Sequence, residues 1–284
     1  MSRTYRFSIV DVFTSVRFEG NQLGVFTNAV GLTDEQMQRL ARELDFSETT
    51  FVFPAEQGGD IRMRIFTPAR ELPFAGHPTL GTAFALAGPL QSILMRIETA
   101  AGIVPVALER EGAKIVFGRM SQPIPAFAPF DAALAGELFA ALGVGGSELP
   151  VELYDNGVRH LFVALATDAA VAALKPDFAR LERVVGDTCA NCFATTGGRV
   201  KTRVFAPELG MTEDAATGSA AGPLAVHLAR HGRIAWGDEI VISQGAEIGR
   251  PSTLFARAEG NGDAVTLVEV GGSALVVGRG EFVV

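Results

Sequence analysis

Arg64-Ile-Phe-Thr-Pro-Ala-Arg-Glu-Leu-Pro-Phe-Ala-Gly-His-Pro-Thr-Leu-Gly81 reads as a strand, a loop and the start of a helix. Alternation ends at Phe66, Pro68 breaks the strand, and an apolar helical run from Thr79 to Ala87 begins only after Gly76-His77-Pro78. Proline suits a first helical turn, because the N–H it lacks would have no intrahelical partner there. The loop therefore aims backbone N–H groups and the positive end of a helix at whatever lies beside Gly76, an arrangement suited to a carboxylate or another anion. His77 stands at the rim of that candidate site.

The second half of the chain repeats this stretch. Arg203-Val-Phe-Ala-Pro207 mirrors Arg64-Ile-Phe-Thr-Pro68 at a separation of 139 residues. Asp214-Ala-Ala-Thr-Gly-Ser-Ala-Ala221 mirrors Gly76-His-Pro-Thr-Leu-Gly-Thr-Ala83 at a separation of 138. A weaker echo pairs Gly20-Asn21 through Phe26 with Asn156-Gly157 through Val163. A duplicated domain accounts for all three. Two such halves facing each other would bring two helix N-termini, and with them His77 and Asp214, to one cleft suited to a small anionic ligand.

At 284 residues the chain is long enough for two ordinary cores. No apolar run reaches the roughly 20 residues that span a bilayer, and Met1-Ser-Arg-Thr-Tyr-Arg6 leads straight into an alternating strand pattern, so a cytoplasmic protein without membrane contact is expected. A net charge of −8 with no basic run argues against nucleic acid as a partner. Cys189 and Cys192 form one C-x-x-C inside the apolar run Cys-Ala-Asn-Cys-Phe-Ala, which favours buried structural thiols over a redox pair or half a zinc site.

In chain order, Tyr5 to Phe13 and Leu23 to Thr27 read as partnered strands. Thr33 opens a helix with Gln36 completing a capping box, and Met37, Leu40, Ala41 and Leu44 share one face up to a helix end near Asp45. Strands follow at Glu48–Phe53 and Ile61–Phe66, with three more between Ile93 and Phe117. Ser121 to Phe130 carries three prolines and reads as an extended connector, which places the boundary between domains 1–122 and 123–284. Asp131 caps a helix ending at Gly143, in the same order as Thr33 in the first half. A helix from Ser219 to His231 follows, and the last strand returns toward the first domain.

Glu48, set among Phe46, Phe51, Val52 and Phe53, is the sharpest catalytic candidate. An apolar setting raises a carboxyl pKa toward the range useful for proton transfer, whereas an exposed strand Glu would be inert. His77 could equally be structural, and Asp214 a helix-start acid favoured by the dipole. Ser219 lacks the G-x-S-x-G spacing and reads as a hydroxyl donor at a helix N-terminus, not as a nucleophile. Glu71 and Glu213 are rival carboxylates or ion-pair partners for a nearby Arg.

Other motifs fail. Gly76-x-x-x-x-Gly81 lacks the P-loop Lys, and no G-x-G-x-x-G follows a strand. His227 and His231 lack the Glu of a zinc-protease motif and any evident third ligand, so they read as surface histidines near a helix C-terminus. None of the three lysines sits in a Schiff-base motif. A site without cofactor or metal is expected.

Asp11-Val-Phe13, Phe18-Glu-Gly-Asn21, Ser47-Glu-Thr-Thr-Phe51, Arg64-Ile-Phe-Thr-Pro68, Glu71-Leu-Pro-Phe-Ala-Gly-His-Pro78, Tyr154-Asp-Asn-Gly-Val-Arg-His160, Glu213 through Leu224, Val226-His-Leu-Ala-Arg-His-Gly232, and Gln244-Gly245 with Gly249-Arg-Pro-Ser252 resemble the PhzF family over nearly the whole chain. The resemblance implies the diaminopimelate epimerase fold. That is an α+β architecture of two pseudo-symmetric domains, each a strongly curved or barrel-like, mostly antiparallel sheet around a central helix, usually in a homodimer. It also implies a cofactor-independent isomerase of phenazine biosynthesis that acts on trans-2,3-dihydro-3-hydroxyanthranilate, a small carboxylate-bearing cyclic substrate. On that basis Glu48 is the acid/base, His77 and Asp214 assist proton movement, and Gly76, Gly218 and Ser219 hold the substrate. The family's epimerase relatives use two cysteines where this chain has Gly76 and Asp214, so their stereoinverting mechanism should be absent. Gln22-Leu23-Gly24 departs from the family pattern and bears on substrate fit. An isomerase of another small carboxylate, or a non-catalytic binder of a small acid, would share many of these motifs; a substrate panel separates the first and solvent proton exchange the second.

Overall fold

The computed structural model describes residues 2–209 and 211–284. The chain forms two compact units, Met1–Ser121 with Val270–Val284, and Gln122–Glu269.

The first unit is built from strands β1 (Thr4–Val12), β2 (Asn21–Phe26), β3 (Glu48–Phe53), β4 (Ile61–Phe66), β5 (Glu71–Leu72), β6 (Leu94–Thr99), β7 (Gly102–Glu111) and β8 (Lys114–Ser121), with helices α1 (Asp34–Leu44) and α2 (Gly76–Leu90). Helix α1 follows its sequence signals closely. Thr33 Oγ1 accepts from Gln36 N, the Gln36 side chain reaches back to Thr33 N, and Met37, Leu40 and Ala41 are buried. Asp45 ends the helix in the left-handed region. Strand β2 runs parallel to β3, and β4 parallel to β6, whereas β1–β2, β3–β4, β4–β5, β6–β7 and β7–β8 are antiparallel.

Small residues let α2 lie inside this curled sheet, where it packs against β1, β2, β3, β6, β7 and β8. A Cβ on Gly81 would lie 2.6 Å from Leu23 Cδ2 and 2.7 Å from Val12 Cγ2, so only glycine allows so close an approach to β1 and β2. On the other side Phe26 stacks on Phe51, Phe66 meets Phe51 edge to face, and all three pack with Met37, Leu40 and Ala41 of α1.

The second unit comprises β9 (Ala126–Pro129), α3 (Ala132–Leu142), β10 (Glu152–Asp155), β11 (Arg159–Ala164), α4 (Asp168–Ala172), α5 (Phe178–Val185), β12 (Cys189–Thr196), β13 (Arg199–Ala206), β14 (Met211–Asp214), α6 (Gly218–Arg230), β15 (Glu239–Gln244) and β16 (Ser252–Asn261). Its pairing repeats that of the first unit link for link. Antiparallel β10–β11, parallel β11–β12, antiparallel β12–β13 and β13–β14, parallel β13–β15 and antiparallel β15–β16 match β1–β2, β2–β3, β3–β4, β4–β5, β4–β6 and β6–β7. Strand β17 (Ala264–Gly272) then leads the chain back, and β18 (Ala274–Val283) pairs antiparallel with β1.

Two expectations change. Helix α3 has the foreseen caps, Asp131 and Gly143, but it precedes β10, the counterpart of β1. The helices in the position of α1, between β11 and β12, are α4 and α5, so α3 is an addition outside the repeat. The proline-rich stretch is also more than a connector. Its residues 126–129 pair antiparallel with β10, Pro123 and Pro125 lie before the paired segment, and Pro129 ends it, where a missing donor is tolerated. Cys189 and Cys192 are buried, as expected, and burial pushes the Cys192 thiol up to about 12.

Candidate active site

In the first unit the site residues come from β3 and from the start of α2. Glu48 opens β3 and is 7 % exposed; His77, in the first turn of α2, is 3 % exposed. His77 Nε2 lies 3.2 Å from Glu48 Oε2. On its other side His77 Nδ1 is 3.3 Å from Asn21 Nδ2, and Ser47 Oγ donates to Asn21 Oδ1 at 2.7 Å. Burial drives the His77 pKa down to about 3, against a smaller opposing effect of the Gln22 carbonyl, so the ring is neutral near neutral pH. The N-cap of α2 is Ala75, which has no side-chain acceptor to offer, and Thr79 Oγ1 donates back to Ala75 O at 2.8 Å. The N–H groups of Gly76 and His77 therefore have no cap within the helix itself. The structure thus brings together Glu48, Gly76 and His77.

In the second unit Asp214 ends β14, and Gly218 and Ser219 begin α6. Thr217, the N-cap, uses its hydroxyl to donate to Asp214 Oδ2 at 2.7 Å instead of capping the helix. Gln244 locks this turn: its Nε2 donates to Asp214 O and to Thr217 Oγ1, and its Oε1 accepts from Thr217 N. Glu213, next to Asp214, is held by Arg203 through two bonds of 2.9 and 2.7 Å.

Pro223, inside α6, has no N–H to offer the Ser219 carbonyl four residues earlier. Asn156 Nδ2 fills that position at 2.9 Å. Gln122 Nε2 donates to the Gly218 carbonyl at 2.8 Å, across the glycine face of Gly222. His160 Nε2 lies 3.1 Å from Ser219 Oγ, and Asn191 Nδ2 backs the same ring. Asp214, Gly218 and Ser219 are thus held by Thr217, Gln244, Gln122, Asn156 and His160. Sequence reasoning quoted four of these within motifs but gave none of the five a role. A proline four residues after Ser219 was the available signal, since it marks a carbonyl that needs a side-chain donor.

At the far end of α6 the surface reading of His227 and His231 is overturned. The helix is buried on every side from Gly218 to Ala229, so the i, i+4 face is not a wet one, and His227 is fully buried. Glu152 supplies the third group that the sequence did not reveal, and one ligand atom from each of the three lies within 4.8 Å of the others. Those residues could hold a metal, but Glu152 Oε2 already accepts from Arg230 Nη1 at 2.7 Å and Tyr154 Oη at 2.9 Å, with His231 Nε2 at 3.0 Å. A dication would have to displace a guanidinium, and the cluster is complete as an ion-pair network that ties α6 to β10. These contacts carry the Glu152 pKa down despite its burial. A cavity of about 700 Å³ in the second unit is lined by Leu142 to Glu148, Ala164 to Ala166 and Lys175, among others, and includes none of the site residues.

The family profile described as "Phenazine biosynthesis-like protein", PhzC-PhzF, matches residues 10–280. The chain belongs to the PhzC-PhzF family. It is 50 % identical over 276 residues, 97 % of this chain and 98 % of the relative, to trans-2,3-dihydro-3-hydroxyanthranilate isomerase of Pseudomonas aeruginosa. It is 50 % identical over 279 residues, 98 % of this chain and 99 % of the relative, to the enzyme of that name from Pseudomonas chlororaphis. A Bacillus anthracis PhzF-family phenazine biosynthesis protein superimposes with a TM-score of 0.85 at 27 % identity, covering 99 % of this chain and 100 % of the other. A hydroxyproline epimerase from Agrobacterium vitis shares the fold, with a TM-score of 0.70 at 15 % identity over 99 % and 91 % of the two chains. This PhzC-PhzF member is accordingly an isomerase with the diaminopimelate epimerase-like α+β fold. Among the described residues no helix is long and apolar enough to cross a membrane.

Proposed function

We propose that the chain isomerises trans-2,3-dihydro-3-hydroxyanthranilate to its ketone isomer in phenazine biosynthesis, without a cofactor, by proton transfer through Glu48. The observation that carries the mechanism is the buried Glu48 carboxylate 3.2 Å from a histidine held neutral by its own burial. A carboxylate in that position takes a ring proton and returns it elsewhere on the conjugated system, and the enol so formed becomes the ketone. One base suffices because the proton moves along one face. Neutral His77 assists by orienting the carboxyl, and Asp214, fixed by Thr217 and the Gln244-locked turn, serves as the second polar group in proton movement. The N–H groups of Gly76 and Gly218 and the hydroxyl of Ser219 bind the substrate's carboxylate and neighbouring groups, as helix N-termini do for anions. A homodimeric, cytoplasmic enzyme completes this reading; the dimer rests on the family resemblance and the cytoplasmic setting on the amino-acid sequence.

The test is turnover of dihydrohydroxyanthranilate in D2O by the wild type beside Glu48→Gln, with product followed by absorbance and deuterium by mass spectrometry. Loss of about a hundredfold or more in kcat for the Gln variant is expected of a missing acid/base group. Wild-type enzyme that binds the compound and never converts it would refute the substrate; full activity in Glu48→Gln would move the base to Asp214 or Glu71.

A further inference from the structure

His160, in β11, is completely buried and belongs to none of the proton-transfer groups, yet its Nε2 lies 3.1 Å from Ser219 Oγ. Which of the two donates depends on the ring's tautomer, and the surroundings decide it. Asn191 Nδ2 faces the Cys189 carbonyl at 3.0 Å and the Leu161 carbonyl at 3.3 Å. Both can only accept, so the end of the Asn191 side chain they face must be its NH2. The same NH2 lies 3.4 Å from His160 Nδ1. A protonated Nδ1 would set N–H against N–H in a site closed to water, so Nδ1 carries the lone pair and Nε2 the proton. Burial also holds the ring neutral, with a pKa of about 3. Nε2–H then donates to Ser219 Oγ. A serine hydroxyl whose oxygen already accepts from one side turns its own proton away from that donor.

We propose that His160 is a positioning residue that fixes the Ser219 hydroxyl as a hydrogen-bond donor toward the substrate, its tautomer set by Asn191. The inference rests on the assignment of Ser219 to substrate binding. An acceptor on the substrate, a carboxylate or hydroxyl oxygen, is what such a hydroxyl reads, and a donor placed there would meet O–H against N–H or O–H. Asn191 and His160 thus select the polarity of the ligand through Ser219, without touching it themselves.

Two measurements test this. Long-range 15N–1H correlation spectra of the wild type, assigned through His160→Gln, should show His160 with Nε2 protonated and Nδ1 bare; a protonated Nδ1 overturns the proposal, whatever the substrate proves to be. The second is a double-mutant cycle in steady-state turnover. His160→Leu should lose about tenfold in kcat/KM, chiefly through KM, as expected for one misdirected hydrogen bond. His160→Gln, whose amide N–H can stand where Nε2–H was, should recover most of that loss. In a Ser219→Ala background His160→Leu should cost nothing further. An equal loss in both backgrounds would make His160 merely structural. Failure of the wild type to turn over dihydrohydroxyanthranilate would refute the functional reading and leave the spectra to decide the tautomer.

Discussion

Arg64 and Arg203 occupy matching places in the repeat, and each grips a glutamate with two parallel bonds, so the pair isolates what burial does to one interaction. Arg203 and Glu213 have side chains 9 % and 7 % exposed, and Arg203 Nη1 also donates to the Leu174 carbonyl at 2.8 Å and the Ala172 carbonyl at 3.2 Å. Arg64 meets Glu71 at 2.7 and 2.6 Å, but Glu71 is 38 % exposed, and the second partner of Arg64, Asp34, faces solvent. Arg203→Met leaves a carboxylate without its counter-charge and carbonyls without donors in a closed space, which costs about 3–5 kcal/mol. Arg64→Met lets two carboxylates return to water and costs about 1 kcal/mol or less. Equilibrium urea denaturation of both variants beside the wild type should therefore differ by about 3 kcal/mol. Arg203→Met should also slow turnover, because Glu213 anchors the strand end that carries Asp214. Replacing both partners, Arg203→Met with Glu213→Leu, should restore much of the stability. Equal losses at the two arginines, or a double variant no more stable than Arg203→Met, would refute the argument that burial sets the energy.

Three further outcomes are expected. His77, His160 and His227 are all held neutral by burial, their folded pKa values below the ordinary 6.5, so the unfolded chain takes up protons first as pH falls. Stability is complete above about 6.5 and declines below it, by up to about 1.4 kcal/mol per pH unit for each ring; Glu152, whose pKa is lowered, adds to the loss below its ordinary value, and denaturation midpoints unchanged between pH 7 and 5 would contradict this. Asn156→Ala should cost about 1–3 kcal/mol by leaving the Ser219 carbonyl without its donor, measured by thermal unfolding, and should raise KM. Gly222→Ala, whose new Cβ would press on Gln122 Oε1 and Val268 Cγ1, should cost about 1–3 kcal/mol in the same assay.

Local chemistry was legible wherever the sequence wrote it locally. The Thr33–Gln36 box placed α1, and β3 and β4 lie at Glu48–Phe53 and Ile61–Phe66 as expected. The helix start was nearly as plain, because a break, a glycine and a first-turn proline lie within a few residues, although α2 begins at Gly76, three residues before the apolar run at Thr79. What stayed hidden depends on partners far along the chain. Glu152 reaches His227 across 75 positions, Asn156 reaches Ser219 across 63, and His160 reaches Ser219 across 59. Nothing near His227 announces Glu152, and an i, i+4 pair on a helix reads as wet until the helix is known to be enclosed. Helix α3 was misplaced in the repeat for a similar reason: its caps report where it starts and stops, not which strands it lies between.

The proline in α6 bears on how the protein assembles. A helix that has given up one of its own amide donors cannot finish its first turns alone, and the missing donor here arrives from a turn 63 residues earlier. Closing a loop of that length is slow compared with coiling a helix. The hydrogen bonds of the Ser219 turn are therefore complete only with the turn between β10 and β11 in place. That contact reports that the second unit has closed on itself.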